Sequence, residues 1–274
     1  MTIRPRDLTA NDLVMSYFTL PMRHPIEDRI ALAAAAGFAG IGLYIGEYQR
    51  LVAEGRAGAW LDDLLGQHQI AVAEIEVVNS WARPGSDDRG FEAAAWEMAD
   101  RWECRYLQAI GPFDGSPADA GRAFAGLCDR AAEHGLVVGL EFLPFTNIVT
   151  ATDALLIVEA ADRDNGGVCV DIWHHARGAN DLSLIAAIAP HRVTGIQMND
   201  GTRVPQLPDY KDDCLRNRLP PGAGEFDVAE FVACLRNLGV TVPWSLEVCR
   251  DLTDGPTPAE HVRQCADAMR ALLV

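Results

Sequence analysis

The chain has 274 residues, of which 23 are Lys or Arg and 39 are Asp or Glu, so its formal net charge is −16 at pH 7. A groove for nucleic acid or a face for an anionic membrane requires the opposite sign, so neither partner is expected. With 49% hydrophobic and 23% charged residues, the composition is that of a globular protein and excludes a disordered chain.

The seven cysteines are scattered and include no CxxC pair, so neither a disulfide framework nor a structural zinc site is expected. The first twenty residues have no long apolar stretch ahead of a small-residue cleavage site. The longest uncharged run, residues 30–46, changes halfway from an alanine-rich to a β-branched and aromatic composition, which predicts a helix, a turn and a strand. We therefore expect a cytoplasmic protein without a membrane span.

Strand-like segments alternate with amphipathic helical segments along the chain, with one strand and one helix in about 30 residues. Strands are predicted at residues 12–20, 38–45, 70–77, 105–110, 136–141, 167–171, 192–198 and 242–247. Helices are predicted at residues 26–36, 47–68, 91–103, 117–134, 152–162, 182–188, 228–238 and 258–272. Eight such units without a linker predict an α/β fold, a single (β/α)8 TIM barrel formed by residues 1–274.

The last four predicted strands each end on a side chain that offers an oxygen ligand, namely Glu141, Asp171, Gln197 and Glu247. One acid at a strand end is explained equally well by the solvated loop that follows it. Four in succession at one rim of a barrel would bring three negative charges together, and a cation is needed to neutralise them. Oxygen ligands favour Mg2+ or Mn2+, while Co2+ and Zn2+ stay open.

At these positions the sequence resembles the xylose-isomerase-like barrels, grouped as sugar phosphate isomerases and epimerases. The resemblance covers the whole chain, and its most specific parts are GLE at Glu141, VDIWH at Asp171 and His174, IQMND at Gln197, and PGAGEFD followed by SLE at Glu247. It implies that Glu141, Asp171, Gln197 and Glu247 bind one divalent metal ion. It also implies that the two glutamates are the catalytic acid and base.

Gln197 departs from the pattern of many sugar epimerases, which have histidine at this place, whereas some members with glutamine are dehydratases of cyclic hydroxyketones. The leading hypothesis is an isomerase or epimerase of a small polyhydroxy carbonyl compound, such as a sugar or keto-polyol. It would abstract a proton next to a metal-bound carbonyl and form an enediolate. The alternative is a metal-dependent dehydratase (lyase) of a compound such as 3-dehydroshikimate or a keto-inositol. A non-catalytic sugar-binding barrel or partner subunit is a minor alternative.

Four further residues are candidates for substrate binding. His174 lies three residues after Asp171, and Arg218 lies in the long proline- and glycine-rich stretch 199–225, where it could neutralise a phosphate or carboxylate. Glu76 is near the carboxyl end of the third strand, and Trp173 follows the sixth strand. Either could line a pocket, although core packing explains Trp173 equally well.

The partner expected from these residues is a small sugar-like molecule, and a homo-oligomer is left open. Lys211, the single lysine, lies in the long loop rather than on a strand, which argues against a Schiff-base aldolase. Arg250, three residues after Glu247, could also neutralise a phosphate or carboxylate of the substrate, but a solvated surface residue is the stronger interpretation.

Overall fold

The structure, a computed structural model, describes residues 7–83 and 89–274. The predicted domain 1–274 therefore includes two stretches, 1–6 and 84–88, that lie outside the described residues. Eight parallel strands pair in chain order, and the last pairs with the first to close a barrel. The prediction of a (β/α)8 barrel is confirmed.

The strands are short, and their carboxyl ends gather at one rim because all neighbours are parallel. They are β1 (Leu13–Met15), β2 (Gly40–Tyr44), β3 (Ala71–Val78), β4 (Tyr106–Ile110), β5 (Val137–Glu141), β6 (Gly166–Asp171), β7 (Val193–Met198) and β8 (Trp244–Leu246). The register pairs Ile110 with Glu141, and Asp171 with Gln197. Asp171 and Gln197 are therefore level with each other, whereas Glu141 pairs with Cys169, two residues before Asp171.

The helices pack around the outside of the strands. They are α1 (Ile26–Ala35), α2 (Ile45–Ala53), α3 (Ala59–His68), α4 (Arg89–Trp102), α5 (Pro117–Ala132), α6 (Ala151–Ala161), α7 (Ile172–Arg177), α8 (Leu182–Ala186), α9 (Tyr210–Arg216), α10 (Val228–Leu238) and α11 (Pro258–Leu273). Among the described residues, no helix is long and apolar enough to span a membrane.

Four elements differ from the prediction, and the first is α7, a short helix after β6 that was not predicted. The predicted helix 47–68 is two helices, α2 and α3, and Gly55 between them has a φ of 70°, which helical backbone does not allow. The predicted strand 12–20 ends at Met15 and is followed by a 3₁₀ turn, Tyr17–Thr19. The long loop after β7 contains α9, and its Asp209 caps that helix by accepting a hydrogen bond from the Asp212 amide.

Candidate active site at the carboxyl ends of the strands

The four predicted ligands lie at one rim of the barrel and are all buried. Glu141 and Asp171 are the last residues of β5 and β6, Gln197 is near the end of β7, and Glu247 follows β8. Their exposed fractions are 3%, 0%, 3% and 6%. Buried carboxylates are costly unless they are paired, so the partners of each determine what the site can do.

Arg218 lies between two of these carboxylates. Its Nη1 donates to Asp171 Oδ2 at 2.7 Å and contacts Glu247 Oε2 at 2.8 Å, and it also donates to the Glu247 carbonyl at 3.1 Å. Burial raises the pKa of Asp171, but the charges of Arg218 and His174 hold it below its ordinary value. Burial raises the pKa of Glu247 well above its ordinary value, although the charge of Arg218 opposes the shift. Arg218 was predicted to neutralise a phosphate or carboxylate of the substrate; its partners in the structure are Asp171 and Glu247, and its contact with substrate stays a prediction.

His174 lies beside the other pair of carboxylates. Its Nε2 is 3.3 Å from Glu141 Oε1 and 3.6 Å from Asp171 Oδ2, and its Nδ1 is 3.0 Å from the Tyr210 hydroxyl. Burial lowers the pKa of His174, but the charge of Asp171 and hydrogen bonds to Cys214 and Glu141 raise it well above its ordinary value. The imidazole is therefore placed to donate a proton.

Neutral groups fix the orientation of two carboxylates. Gln108 Nε2 donates to Glu141 Oε2 at 2.7 Å. Asp171 Oδ1 accepts the Trp173 amide at 2.7 Å and Asn199 Nδ2 at 2.9 Å. These bonds leave Asp171 Oδ2 and Glu141 Oε1 directed toward the charged groups of the site.

The residues at this rim fit a divalent cation. Gln197 Oε1 is buried and has no hydrogen-bond partner among the described residues, whereas a buried amide oxygen is normally satisfied. Together with the carboxylates it forms an oxygen set that suits Mg2+ or Mn2+. Donor atoms of Glu141, Asp171 and His174 also lie within 4.8 Å of one another, and a set that includes imidazole suits Zn2+ or Co2+ as well.

A cavity of about 370 Å³ opens above these groups, a size that suits a small-molecule ligand. Its polar wall includes Gln108, Glu141, His174, Arg218 and Glu247. Its apolar wall includes Phe18, Tyr44, Val77, Ile110, Leu143 and Phe145. Lys211 also lines the cavity from α9.

Glu76 and Trp173 are not among the described residues that line this cavity. Glu76 is fully buried and accepts hydrogen bonds from the Ser16 hydroxyl and the Tyr17 amide, both at 3.0 Å. Trp173 is 1% exposed, and the Arg177 guanidinium lies 4.6 Å from its ring centre. Both residues therefore have partners in the interior. Glu76 contacts the loop after β1, and Trp173 packs against Arg177 of α7.

Two residues of the site were not predicted from the sequence. Gln108 gave a usable signal, since an amide inside the apolar strand YLQAI requires a buried partner. Tyr210 gave none, because it lies in the loop after β7 and reaches His174 across 36 positions of the sequence.

The chain is similar in sequence to curated dehydratases and isomerases. Over 161 residues, 58% of this chain, it is 33% identical to a 3-dehydroshikimate dehydratase of Pseudomonas aeruginosa, and the match covers 24% of that protein. Over 134 residues, 45% of this chain, it is 29% identical to an inosose isomerase of Bacillus subtilis, and covers 44% of it. The chain therefore spans about a quarter to a half of the curated relatives it matches. These relatives are enzymes.

Solved structures share the fold. A crystal structure described as IolI protein with a bound zinc atom has a TM-score of 0.82 and 18% identity, with 96% of this chain and 98% of that chain covered. The probable 3-DHS dehydratase AsbF from Bacillus anthracis has a TM-score of 0.79 and 14% identity, with 94% and 98% covered. A family model described as xylose isomerase-like TIM barrel matches residues 30–272. The chain belongs to this family of xylose isomerase-like TIM barrels.

Proposed function

We propose that this protein removes water from a small cyclic hydroxyketone of the 3-dehydroshikimate type, with the help of one divalent cation. One observation carries the proposal: His174 Nε2 lies 3.3 Å from Glu141 Oε1 on the wall of the cavity. Elimination of water needs a group that accepts a proton from carbon and another that gives a proton to the leaving hydroxyl. The relatives named as 3-dehydroshikimate dehydratases support this choice.

Both proton transfers are assigned to side chains of the site. Glu141, held by Gln108, accepts the proton from the carbon next to the ketone, and the electron pair of that C–H bond forms the new C=C bond. The C–O bond to the β-hydroxyl breaks, and His174 supplies the proton that lets this hydroxyl leave as water. Tyr210 holds the other ring nitrogen of His174 and fixes its orientation. Arg218 provides positive charge where negative charge develops.

A divalent cation bound by Glu141, Asp171, Gln197 and Glu247 would polarise the ketone and lower the pKa of the neighbouring C–H group. The oxygen donors favour Mn2+ or Mg2+. Zn2+ and Co2+ belong in the same test, because His174 lies within reach of two of the carboxylates.

A second candidate function is the isomerase or epimerase, and Glu247 is the observation that favours it. Glu247 also lines the cavity, from the end of β8, three strands around the barrel from Glu141 on β5. It could return the proton to carbon in place of water loss. The relatives named as inosose isomerases support this reaction.

The experiment compares wild type, His174→Gln and His175→Gln with 3-dehydroshikimate and Mn2+. We expect a new ultraviolet absorbance, because loss of water extends the conjugation of the substrate's ring, and a strong chelator should abolish it. His174→Gln should lose this activity by about 10²-fold or more, as expected for a lost proton donor. His175 is the matched control, since it is a buried histidine of the same helix that packs against Phe231.

His175→Gln should turn over 3-dehydroshikimate at nearly the wild-type rate. A wild-type rate in His174→Gln, or full activity without metal, would contradict the proposal. A keto-inositol that exchanges hydrogen without losing water, in a reaction that needs Glu247 and not His174, would establish the second candidate instead.

A further inference from the structure

A second cavity, of about 440 Å³, adjoins the first. The two cavities share four wall residues, which are Phe18, Met22, Leu215 and Cys249. The second cavity therefore extends the space above Glu141 and His174 toward the loops after β1 and β8. A molecule that reacts in the first cavity can reach into the second.

The charge of this second cavity is opposite to that of the protein. Arg23, Arg216 and Arg250 line it, and Asp251 is the one acid among the described residues of its wall. The whole chain has a formal charge of −16, whereas the wall of this cavity, as far as the structure describes it, has three arginines and one acid, a local excess of basic residues. An anion entering this space meets a local excess of positive charge.

These arginines are also weakly paired. Arg23 lies 3.8 Å from Asp251, Arg216 lies 3.9 Å from Asp212, and Arg250 has no ion pair within the part of the chain that the structure describes. By contrast, the exposed Arg130 donates to Glu92 through two nitrogens, at 2.8 Å and 2.7 Å. The cavity arginines therefore retain donors for a ligand.

The backbone holds two of these arginines in place. Residues 216–218 and 249–251 form a short antiparallel ribbon, in which the Asp251 amide donates to the Arg216 carbonyl and the Arg218 amide to the Cys249 carbonyl, each at 3.0 Å. Asn217 pairs with Arg250 in the same ribbon. Since this ribbon also carries Arg218, the backbone positions of Arg216 and Arg250 are fixed relative to the reaction site. Such preorganisation lowers the entropic cost of binding.

We propose that the second cavity binds an anionic group, a carboxylate or a phosphate, on the substrate whose ketone reacts above Glu141 and His174. Guanidinium groups recognise both anions through paired N–H donors. The assignment of this group to the reacting substrate rests on the proposed function. The binding of the anion itself does not.

The test measures binding of inorganic phosphate and of succinate to the Mg2+-loaded protein by isothermal titration calorimetry at low salt. Arg216→Gln and Arg250→Gln should each weaken the tighter of the two probes by about 5- to 10-fold, and the double variant by about 50-fold. Arg263→Gln is the control, because it removes the same charge from an exposed position of α11. It should change affinity by less than about twofold. The tighter probe identifies the anionic group.

Binding of neither probe, or binding that the double variant leaves unchanged, would overturn the proposal; the second result would place the phosphate on the metal ion instead. Glu141→Gln separates this inference from the proposed function, since it should lose turnover and still bind phosphate. With an active anionic ketone, Arg216→Gln and Arg250→Gln should raise KM about tenfold and leave kcat within twofold. Arginine-dependent binding without turnover of any ketone would retain the anion site and refute the proposed reaction.

Discussion

Arg218 and a divalent cation are expected to neutralise the same carboxylates, so removal of Arg218 should make the protein depend on metal for stability. Arg218 is 1% exposed, and its Nη1 lies 2.7 Å from Asp171 Oδ2 and 2.8 Å from Glu247 Oε2. In the metal-free protein, Arg218→Gln leaves two buried carboxylates without their cation. The repulsion between them then favours any ion that can take its place.

The expected loss of stability in Arg218→Gln follows from the burial of this ion pair. Loss of one partner of a buried ion pair costs about 3–5 kcal/mol. Burial already raises the pKa of Glu247, so this carboxyl can take up a proton when Arg218 is absent, which favours the lower end of the range. Since 1 kcal/mol shifts the Tm of a large domain by about 2–4 °C, the metal-free variant should melt about 6–12 °C below wild type.

The assay is thermal unfolding with and without saturating Mn2+. Mn2+ should raise the Tm of Arg218→Gln by at least about 5 °C more than it raises that of wild type, because the ion replaces the lost charge. Arg177→Gln is the matched control: Arg177 forms a buried ion pair with Asp213 at 2.9 Å, away from the strand-end carboxylates. Its loss of stability should not be recovered by Mn2+. An equal or smaller effect of Mn2+ on Arg218→Gln than on wild type would refute the reasoning.

Three further predictions concern residues around the site. Gln197→His should retain metal and shift its preference toward Zn2+ and Co2+; an unchanged metal ranking and affinity in titrations would argue that Gln197 is not a ligand. Burial raises the pKa of Glu76 to about 7 despite the bonds from Tyr17 and Ser16. Protonation of Glu76 therefore stabilises the folded state. This stabilisation is complete below the ordinary pKa near 4.5 and is lost as the pH rises through 7. The free energy of unfolding, measured with urea between pH 4 and 8, should fall less with rising pH in Glu76→Gln than in wild type. Identical pH profiles would contradict the raised pKa of Glu76. The Thr19 hydroxyl donates to the Leu246 carbonyl at 2.5 Å and accepts the Val248 amide at 3.3 Å, on both sides of Glu247. Thr19→Val should lower kcat about tenfold through misplacement of Glu247, whereas Thr19→Ser should retain it, and equal rates in both would contradict this role.

The architecture could be predicted because local patterns specify it. Apolar strands that end on Glu141, Asp171 and Glu247 recur with helices between them, and a closed parallel barrel then forces these ends to one rim. The resemblance implied that Glu141, Asp171, Gln197 and Glu247 bind a metal ion, and this stays a prediction. None of this required knowledge of contacts between distant residues.

The pairing inside the site could not be predicted, because it depends on such contacts. Arg218 reaches Asp171 across 47 positions of the sequence, and Glu76 receives the Ser16 hydroxyl across 60. The sequence pattern predicts that Glu76 lies near the pocket. It gives no information on the hydrogen bonds from Ser16 and Tyr17 that hold the Glu76 side chain in the interior. The break between α2 and α3 was missed for another reason, since the helical periodicity continues through Gly55.

The central claim is elimination of water by Glu141 and His174, and the mass spectrum of the product formed in deuterated water tests it most directly. Incubation of the Mn2+-loaded protein with 3-dehydroshikimate should give a product lighter than the substrate by one water, and His174→Gln should give none. A substrate that keeps its mass apart from incorporated deuterium, with wild type and His174→Gln behaving alike, would contradict the claim.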